Sequence, residues 1–179
     1  MFKEIETDRL LLRKLTLDDA KDLFEYTSNP EVAKYISWNA LKSEDQATKY
    51  IKSVIDEYKA GDNPYIWAIE YKENNKMIGT IEISILSERN KWCELESDMN
   101  PNYWNKGLNT EALRSVIHFI FTQLDLNKIQ AKCYEQNVGS AKVLQKVGMK
   151  LEGKQRQHYY LDGHFHDVFL FSILKEEYR

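Results

Sequence analysis

Cysteine, proline and glycine are all scarce in this chain, at two, three and seven residues among 179. The two cysteines, Cys93 and Cys133, form no C-x-x-C pair and no zinc-ligand spacing. That speaks against a disulfide framework or a structural metal, and both residues read as small buried apolar groups. So few prolines and glycines leave no linker, repeat or low-complexity tract, and the chain reads as continuous secondary structure. No apolar run is long enough to cross a bilayer. The opening Met1-Phe2-Lys3-Glu4-Ile5-Glu6 lacks the apolar centre of a signal peptide. An excess of positive charge is missing too. The formal net charge is −3, which argues against nucleic acid, whose binding leans on clustered Lys and Arg, and suits a cationic partner. The hydrophobic share of 42% and charged share of 30% are those of an ordinary globular protein. A cytoplasmic protein of one domain, residues 1–179, is expected, with no membrane segment.

What is present is a regular succession of elements. Arg9-Leu10-Leu11-Leu12-Arg13 reads as a first strand. Thr16 and Asp19 look like a capping pair opening a helix through Ala20, Leu23 and Phe24. Asn29-Pro30 breaks it, and a short second helix follows through Val32 and Tyr35. Ser43-x-x-Gln46 is a capping box for a helix with Ala47, Tyr50, Ile51, Val54 and Tyr58 on one face. Gly61-Asp62-Asn63-Pro64 ends it. Residues 65–71 and 77–86 are strands around an Asn74-Asn75 turn, which makes an antiparallel hairpin. Residues 92–99 form a further strand. A loop containing Gly107 then leads into a long amphipathic helix through Ala112, Val116 and Ile120. Residues 128–134 are a strand, and Asn137 caps a shorter helix that closes at Gly148. Residues 151–161 and 164–174 are strands around Asp162-Gly163, a type I′ hairpin signal. This succession puts a parallel pair with a right-handed crossover between antiparallel hairpins. The expected class is α/β with a mixed, mostly antiparallel sheet.

The segment richest in chemistry is Met99-Asn100-Pro101-Asn102-Tyr103-Trp104-Asn105-Lys106-Gly107-Leu108-Asn109-Thr110-Glu111, where a strand hands over to the long helix. The first amides of a helix have no intrahelical partners, and its N-terminus carries partial positive charge. Such a corner suits a phosphate or diphosphate. Gly107, having no side chain, lets an anion approach the backbone, and Lys106 adds charge at the rim. Neither G-x-x-x-x-G-K-[ST] nor G-x-G-x-x-G occurs, so nucleotide triphosphates and dinucleotides lose their usual support.

Here the sequence resembles the GNAT N-acetyltransferase superfamily, in particular its RimJ/RimL-type group, which acetylates protein N-termini or small amines. Thr7-Asp8-Arg9-Leu10-Leu11-Leu12-Arg13 is similar to that group's opening T-x-R-L-x-L-R strand. Residues 100–107 resemble its strand-to-helix turn. Asn137, Ser140 and the run Val143-Leu144-Gln145-Lys146-Val147-Gly148-Met149 resemble its N-x-x-S-x-x-V-L-x-K-x-G-F block, and Asp162-Gly163 with Asp167 its closing hairpin. The set spans nearly the whole chain in the right order. It implies a splayed parallel pair in the middle of the sheet and helices on both faces. Four positions depart from the wider superfamily: Trp104 for Gln or Arg, Asn109 for Gly or Ala, Met149 for Phe, and Leu144 where many relatives carry a Tyr that protonates the departing thiolate.

The resemblance implies direct attack of an amine on the thioester of acetyl-CoA, with no metal. It assigns the diphosphate to backbone at Asn105, Lys106, Gly107, Leu108, Asn109 and Thr110. The pantetheine arm would lie beside Ser97, Asp98 and Met99, with the Asn137 side chain on its other side. The Met99 amide would stabilise the oxyanion. Glu94, Glu96 and Asp98 alternate, so a regular strand sets all three on one face, where they would attract a cationic amine and relay its proton. Glu94 lies nearest the acidic base of some relatives; a plain solvated face is the alternative. Close carboxylates raise one another's pKa. Ser140 is the candidate to protonate the thiolate, against an ordinary first-turn serine. Trp38 and Tyr35 are the acceptor-site candidates. His158, His164 and His166 lack the companions of a metal site. Three acceptor readings stand: a protein N-terminal amine such as that of a ribosomal protein; a small amine such as a polyamine, antibiotic or amino-acid-like toxin; or a catalytically weak CoA-binding sensor. Relatives occur as monomers and homodimers.

Overall fold

A computed structural model describes residues 2–35, 40–61, 65–161 and 163–178. Trp38, Asp62, Asn63, Pro64 and Asp162 lie outside the described residues. The elements are β1 (Ile5–Glu6), β2 (Leu10–Arg13), α1 (Ala20–Thr27), α2 (Pro30–Ala33), α3 (Glu44–Ala60), β3 (Ile66–Tyr71), β4 (Lys76–Ser87), β5 (Trp92–Met99), α4 (Leu108–Gln123), β6 (Lys128–Tyr134), α5 (Val138–Lys146), β7 (Lys150–Leu161) and β8 (His164–Leu174). The strands run in the order β1-β2-β3-β4-β5-β6-β8-β7 in one sheet. The β5–β6 pair is parallel; the pairs β1–β2, β2–β3, β3–β4, β6–β8 and β7–β8 are antiparallel. This is the mixed α/β arrangement read from the sequence, with a two-residue β1 added ahead of it. Among the described residues no helix is long and apolar enough to cross a membrane.

Contacts group the chain into two compact units whose boundaries fall inside β4, β5 and α4: Met1–Glu82 with Ser97–Ala112, and Ile83–Glu96 with Leu113–Arg179. In the first unit, α1 and α3 pack on β3 and β4 through a core that includes Leu23, Tyr26, Ile51, Val54, Ala68 and Met77. Ala47, Ile51 and Val54, spaced by four and three, form the buried stripe of α3. The Ser43 hydroxyl caps α3 by accepting from the Gln46 amide at 3.3 Å. The Gln46 side chain accepts from the Lys42 amide at 2.7 Å, one residue earlier than a capping box requires. Gly61, at φ +78°, closes the helix, donating to the Glu57 carbonyl at 2.9 Å.

Asp19 does more than cap. It accepts the Thr16 amide at 2.7 Å and both terminal nitrogens of Arg13, at 2.8 and 2.7 Å. Arg13 Nε also donates to Glu70 at 2.6 Å. One guanidinium thus ties β2 to β3 and to the start of α1. Asp19 is buried, so this planar, always-charged fork is what keeps its carboxylate tolerable inside the fold.

In the second unit β8 lies between β6 and β7, setting Ala131 opposite Phe171 and Cys133 opposite Phe169. Both cysteines are buried and free. The β7–β8 ladder is not regular: the register shifts between Gln155 and Tyr159. Gln157 sits there at φ +52°, and its amide donates to Asp167 at 2.8 Å. Asp167 also meets Lys154 at 2.9 Å, so this aspartate holds a bulge. The helix cap at Asn137, whose Oδ1 accepts the Ser140 amide at 3.0 Å, and the closing Gly148, at φ +93°, stand where the sequence puts them.

Replacing Arg13 by Leu leaves Asp19 buried beside no cation. Urea denaturation should show a loss of about 3 kcal/mol, with Arg13→Lys recovering part of it.

Candidate active site

The strand-to-helix turn of the first unit is built by side chains that bind its own backbone. Asn100 Oδ1 accepts the Asn102 amide at 3.0 Å, and Nδ2 donates to Glu25 at 2.9 Å. Pro101–Tyr103 form a short 3₁₀ turn. The Trp104 indole then reaches back to the Met99 carbonyl at 2.8 Å. Asn105 and Gly107 both adopt positive φ, +60° and +76°, and α4 begins at Leu108. Two left-handed residues around one ordinary residue turn successive amides toward a common side, a backbone concavity suited to anions. A Cβ added at Gly107 would meet a single group within 4 Å, Arg9 Nη2 at 3.6 Å. The space over this backbone is open, and it is the left-handed φ that calls for glycine.

The turn is clamped from β2 and the residues before it. Thr7 Oγ1 and the Arg9 amide donate to Glu111 Oε1 at 2.7 and 2.9 Å, and Arg9 Nε donates to Oε2 at 2.7 Å. Arg9 Nη1 donates to the Lys106 carbonyl at 3.0 Å. Burial opposes ionisation of Glu111, yet the bonds from Thr7 and Arg9 outweigh it and hold this carboxyl below its usual range. The Thr-x-Arg of the opening strand therefore acts on the first turn of α4. Lys106 lies over the Tyr103 ring, 5.1 Å from its centroid, at the exposed rim. Asn109, where relatives have a smaller residue, turns its Nδ2 toward Ser97 Oγ at 3.3 Å, and its Oδ1 is buried without a partner.

Sequence reading missed Gly79. A Cβ there would lie 2.2 Å from the Asp98 carbonyl oxygen and 3.1 Å from Met99 Cα. The Asn100 amide donates to the Ile78 carbonyl at 2.7 Å beside it. The backbone of β4 thus presses on β5 where Asp98 and Met99 sit. A lone glycine inside a strand is the available signal for such an approach.

Asp98 is partly exposed. Burial of its carboxyl, followed by the nearby charge of Glu82 on β4, pushes its pKa up to about 6. Like charges do act on this carboxylate, as alternation along β5 suggests, but the charge comes from β4. Tyr35 lies just beyond α2, half-buried, with Lys34 Nζ 5.3 Å from its ring centroid.

In the second unit, Glu94 is buried. Lys132 Nζ binds both of its oxygens at 2.8 Å, and Gln130 donates at 3.2 Å. Glu96 is exposed, and its charge, with that of Glu94, acts on Tyr159, whose hydroxyl is pushed up to about 12 chiefly by burial. Parallel pairing joins Trp92, Cys93 and Glu94 to Lys128, Ile129 and Gln130, and both strands continue past these pairs. Asn137 spends Oδ1 on its cap. Ser140 lies against Cys133: burial pushes that thiol up to about 11, and the Ser140 hydroxyl partly offsets it. Among the described residues no three His, Cys, Asp or Glu side chains gather to hold a metal.

Residues 9–150 match the sequence profile of the acetyltransferase (GNAT) domain, and the chain belongs to that family. It is 36% identical over 172 residues to an uncharacterized N-acetyltransferase, p20, of Bacillus licheniformis, covering 96% of each chain. The structure of a GNAT-family acetyltransferase from Bacillus anthracis superposes with a TM-score of 0.86 at 26% identity, over 97% of this chain and 99% of that one. Two more distant likenesses carry acceptor names. A spermidine N(1)-acetyltransferase of Escherichia coli is 20% identical, over 93% of this chain and 87% of its own. A ribosomal-protein-S5-alanine acetyltransferase from Vibrio fischeri shares the fold with a TM-score of 0.84 at 20% identity, over 99% of each chain. The protein is thus an acetyl-CoA-dependent N-acetyltransferase, in which the cosubstrate supplies an acetyl group as a thioester.

Gly79→Ala should cost about 1–3 kcal/mol of stability, because the methyl must push aside backbone. It should also lower turnover by moving Asp98 and Met99; thermal melts and thiol release from acetyl-CoA test the two effects together.

Proposed function

We propose that this enzyme acetylates a protein N-terminal α-amine. The observation that carries the reading is the state of the acidic row on β5. Lys132 neutralises Glu94 at 2.8 Å, which leaves Asp98, partly exposed and acted on by the charge of Glu82, as the half-buried negative site of the row. One such site suits one ammonium; a polyamine asks for several carboxylates in line. An α-amine, with a pKa of about 8, is also easier to deprotonate than an alkylamine near 10. The kinship with a spermidine acetyltransferase supports the rival small-amine reading, and a sensor without turnover is the third.

In this reading the amides of residues 105–110 hold the diphosphate of CoA, with Gly107 open to it and Arg9 fixing the loop from behind. The side chain of Asn109, turned to Ser97, keeps clear of the anion. Ser97, Asp98 and Met99 line the pantetheine arm, and the Met99 amide serves the carbonyl oxygen.

Thiol release from acetyl-CoA, measured with unblocked peptides, spermidine, aminoglycosides and free amino acids, tests the acceptor. Peptide turnover is expected; turnover confined to small amines, or none, refutes it. Gly107→Glu places a carboxylate and a strained φ where the diphosphate belongs, and calorimetry should show CoA binding lost in a folded protein. Unchanged affinity would remove the site.

A further inference from the structure

Glu94 is 7% exposed, and its charge is matched within the second unit. Lys132 Nζ, from β6, donates to both of its oxygens at 2.8 Å, and Gln130 Nε2 adds a bond at 3.2 Å. The Lys132 side chain is 16% exposed. Among the described residues, the other lysines paired with carboxylates in this unit are at least 29% exposed. Stability alone does not account for so enclosed a pair, because apolar side chains of equal volume do as well or better. Its position is a second observation. Parallel pairing of β5 with β6 ends at Glu94 and Gln130, and β6 runs on to Tyr134. Lys132 therefore lies two residues past the last pair and reaches back to the end of the ladder. Alternation puts Tyr134 on the same face of β6, and its ring centroid stands 5.4 Å from those of Tyr159 and His166. A two-oxygen carboxylate with a side-chain amide beside it, and aromatic rings farther along the face, make a receptor for one primary ammonium. The ammonium in it belongs to the protein.

We propose that Lys132 is a specificity-determining residue: its ammonium occupies the Glu94 site, so that an acceptor carrying a second positive charge finds no carboxylate there. The inference rests on acetyl transfer to an amine, and it deepens the reading of a singly charged acceptor given above. A lysine ammonium on its flexible stem is the same chemical group as the end of a polyamine. A polyamine must therefore displace Lys132 or sit beside it. Displacement exchanges one ammonium for another with no gain in charge pairing, and sitting beside it meets like charge. Both disfavour a polyamine and leave a monoamine untouched, which is discrimination by a repulsive element. Glu94 then serves as the anchor that holds the excluding charge in place.

The test opens the site. Lys132→Ala takes away what propylammonium supplies, so thermal melts of this variant are compared in propylammonium chloride and in sodium chloride at equal ionic strength. Propylammonium should raise Tm in a concentration-dependent way, and it should not do so in Lys132→Ala/Glu94→Gln, where no charge waits for it. If Lys132→Ala folds only with the amine present, that dependence is the same result. Thiol release then compares spermidine with an unblocked peptide. The spermidine-to-peptide ratio of kcat/KM should rise about 10-fold or more in Lys132→Ala and stay at the wild-type value in the double variant. No stabilisation specific to propylammonium, or an unchanged ratio, overturns the role of Lys132. Wild-type preference for spermidine over peptides removes the N-terminal acceptor, and a further rise of the ratio in Lys132→Ala still supports Lys132. With no turnover on either amine, calorimetry decides: spermidine binding gained by Lys132→Ala and not by the double variant supports the assignment, and its absence refutes it.

Discussion

The Glu111 carboxylate is the point on which this architecture turns. It gathers the Thr7 hydroxyl, the Arg9 amide and the Arg9 guanidinium at 2.7 to 2.9 Å. Arg9 in turn reaches the Lys106 carbonyl. A loop with two left-handed residues is costly to hold by itself. Fastening it to the opening strand offsets that cost and fixes the course of the loop's backbone. The glycine of the loop and the arginine of the first strand, over ninety residues apart, are parts of one device.

Charge on β5 is divided in the same economical way. Glu94, Glu96 and Asp98 share a strand and a carboxylate group, yet they are given different environments: an ammonium for Glu94, an exposed position for Glu96, and a half-buried one under the charge of Glu82 for Asp98. Environment, not identity, decides which can exchange a proton near neutrality.

Much of this is legible in the sequence because it is local. Helix stops at Gly61 and Gly148, the Asn137 cap and the Gly107 turn all follow from backbone chemistry within a few residues. The strand order of the parallel pair follows from the crossover between β5 and β6. What is not legible depends on distance. Nothing near Glu111 announces Arg9, and nothing near Glu94 announces Lys132, since registers between strands are set by packing. Asp98 looks like the third of three equal carboxylates until β4 brings Glu82 beside it. Gly79 carries a local signal, a glycine alone in an isoleucine-rich strand, but its meaning needs the neighbouring backbone. Asn105 carries a weak one, because asparagine is enriched in the left-handed region without being confined to it.

The Lys132–Glu94 pair has a consequence for how the sequence can drift. Glu94 is buried, so a change at either position alone strands a charge inside the protein. Exchanging both for apolar residues of matching volume removes that penalty. Across descendants of this chain, positions 94 and 132 should therefore vary as a couple or not at all, a correlated signature that reports the pairing of a buried charge.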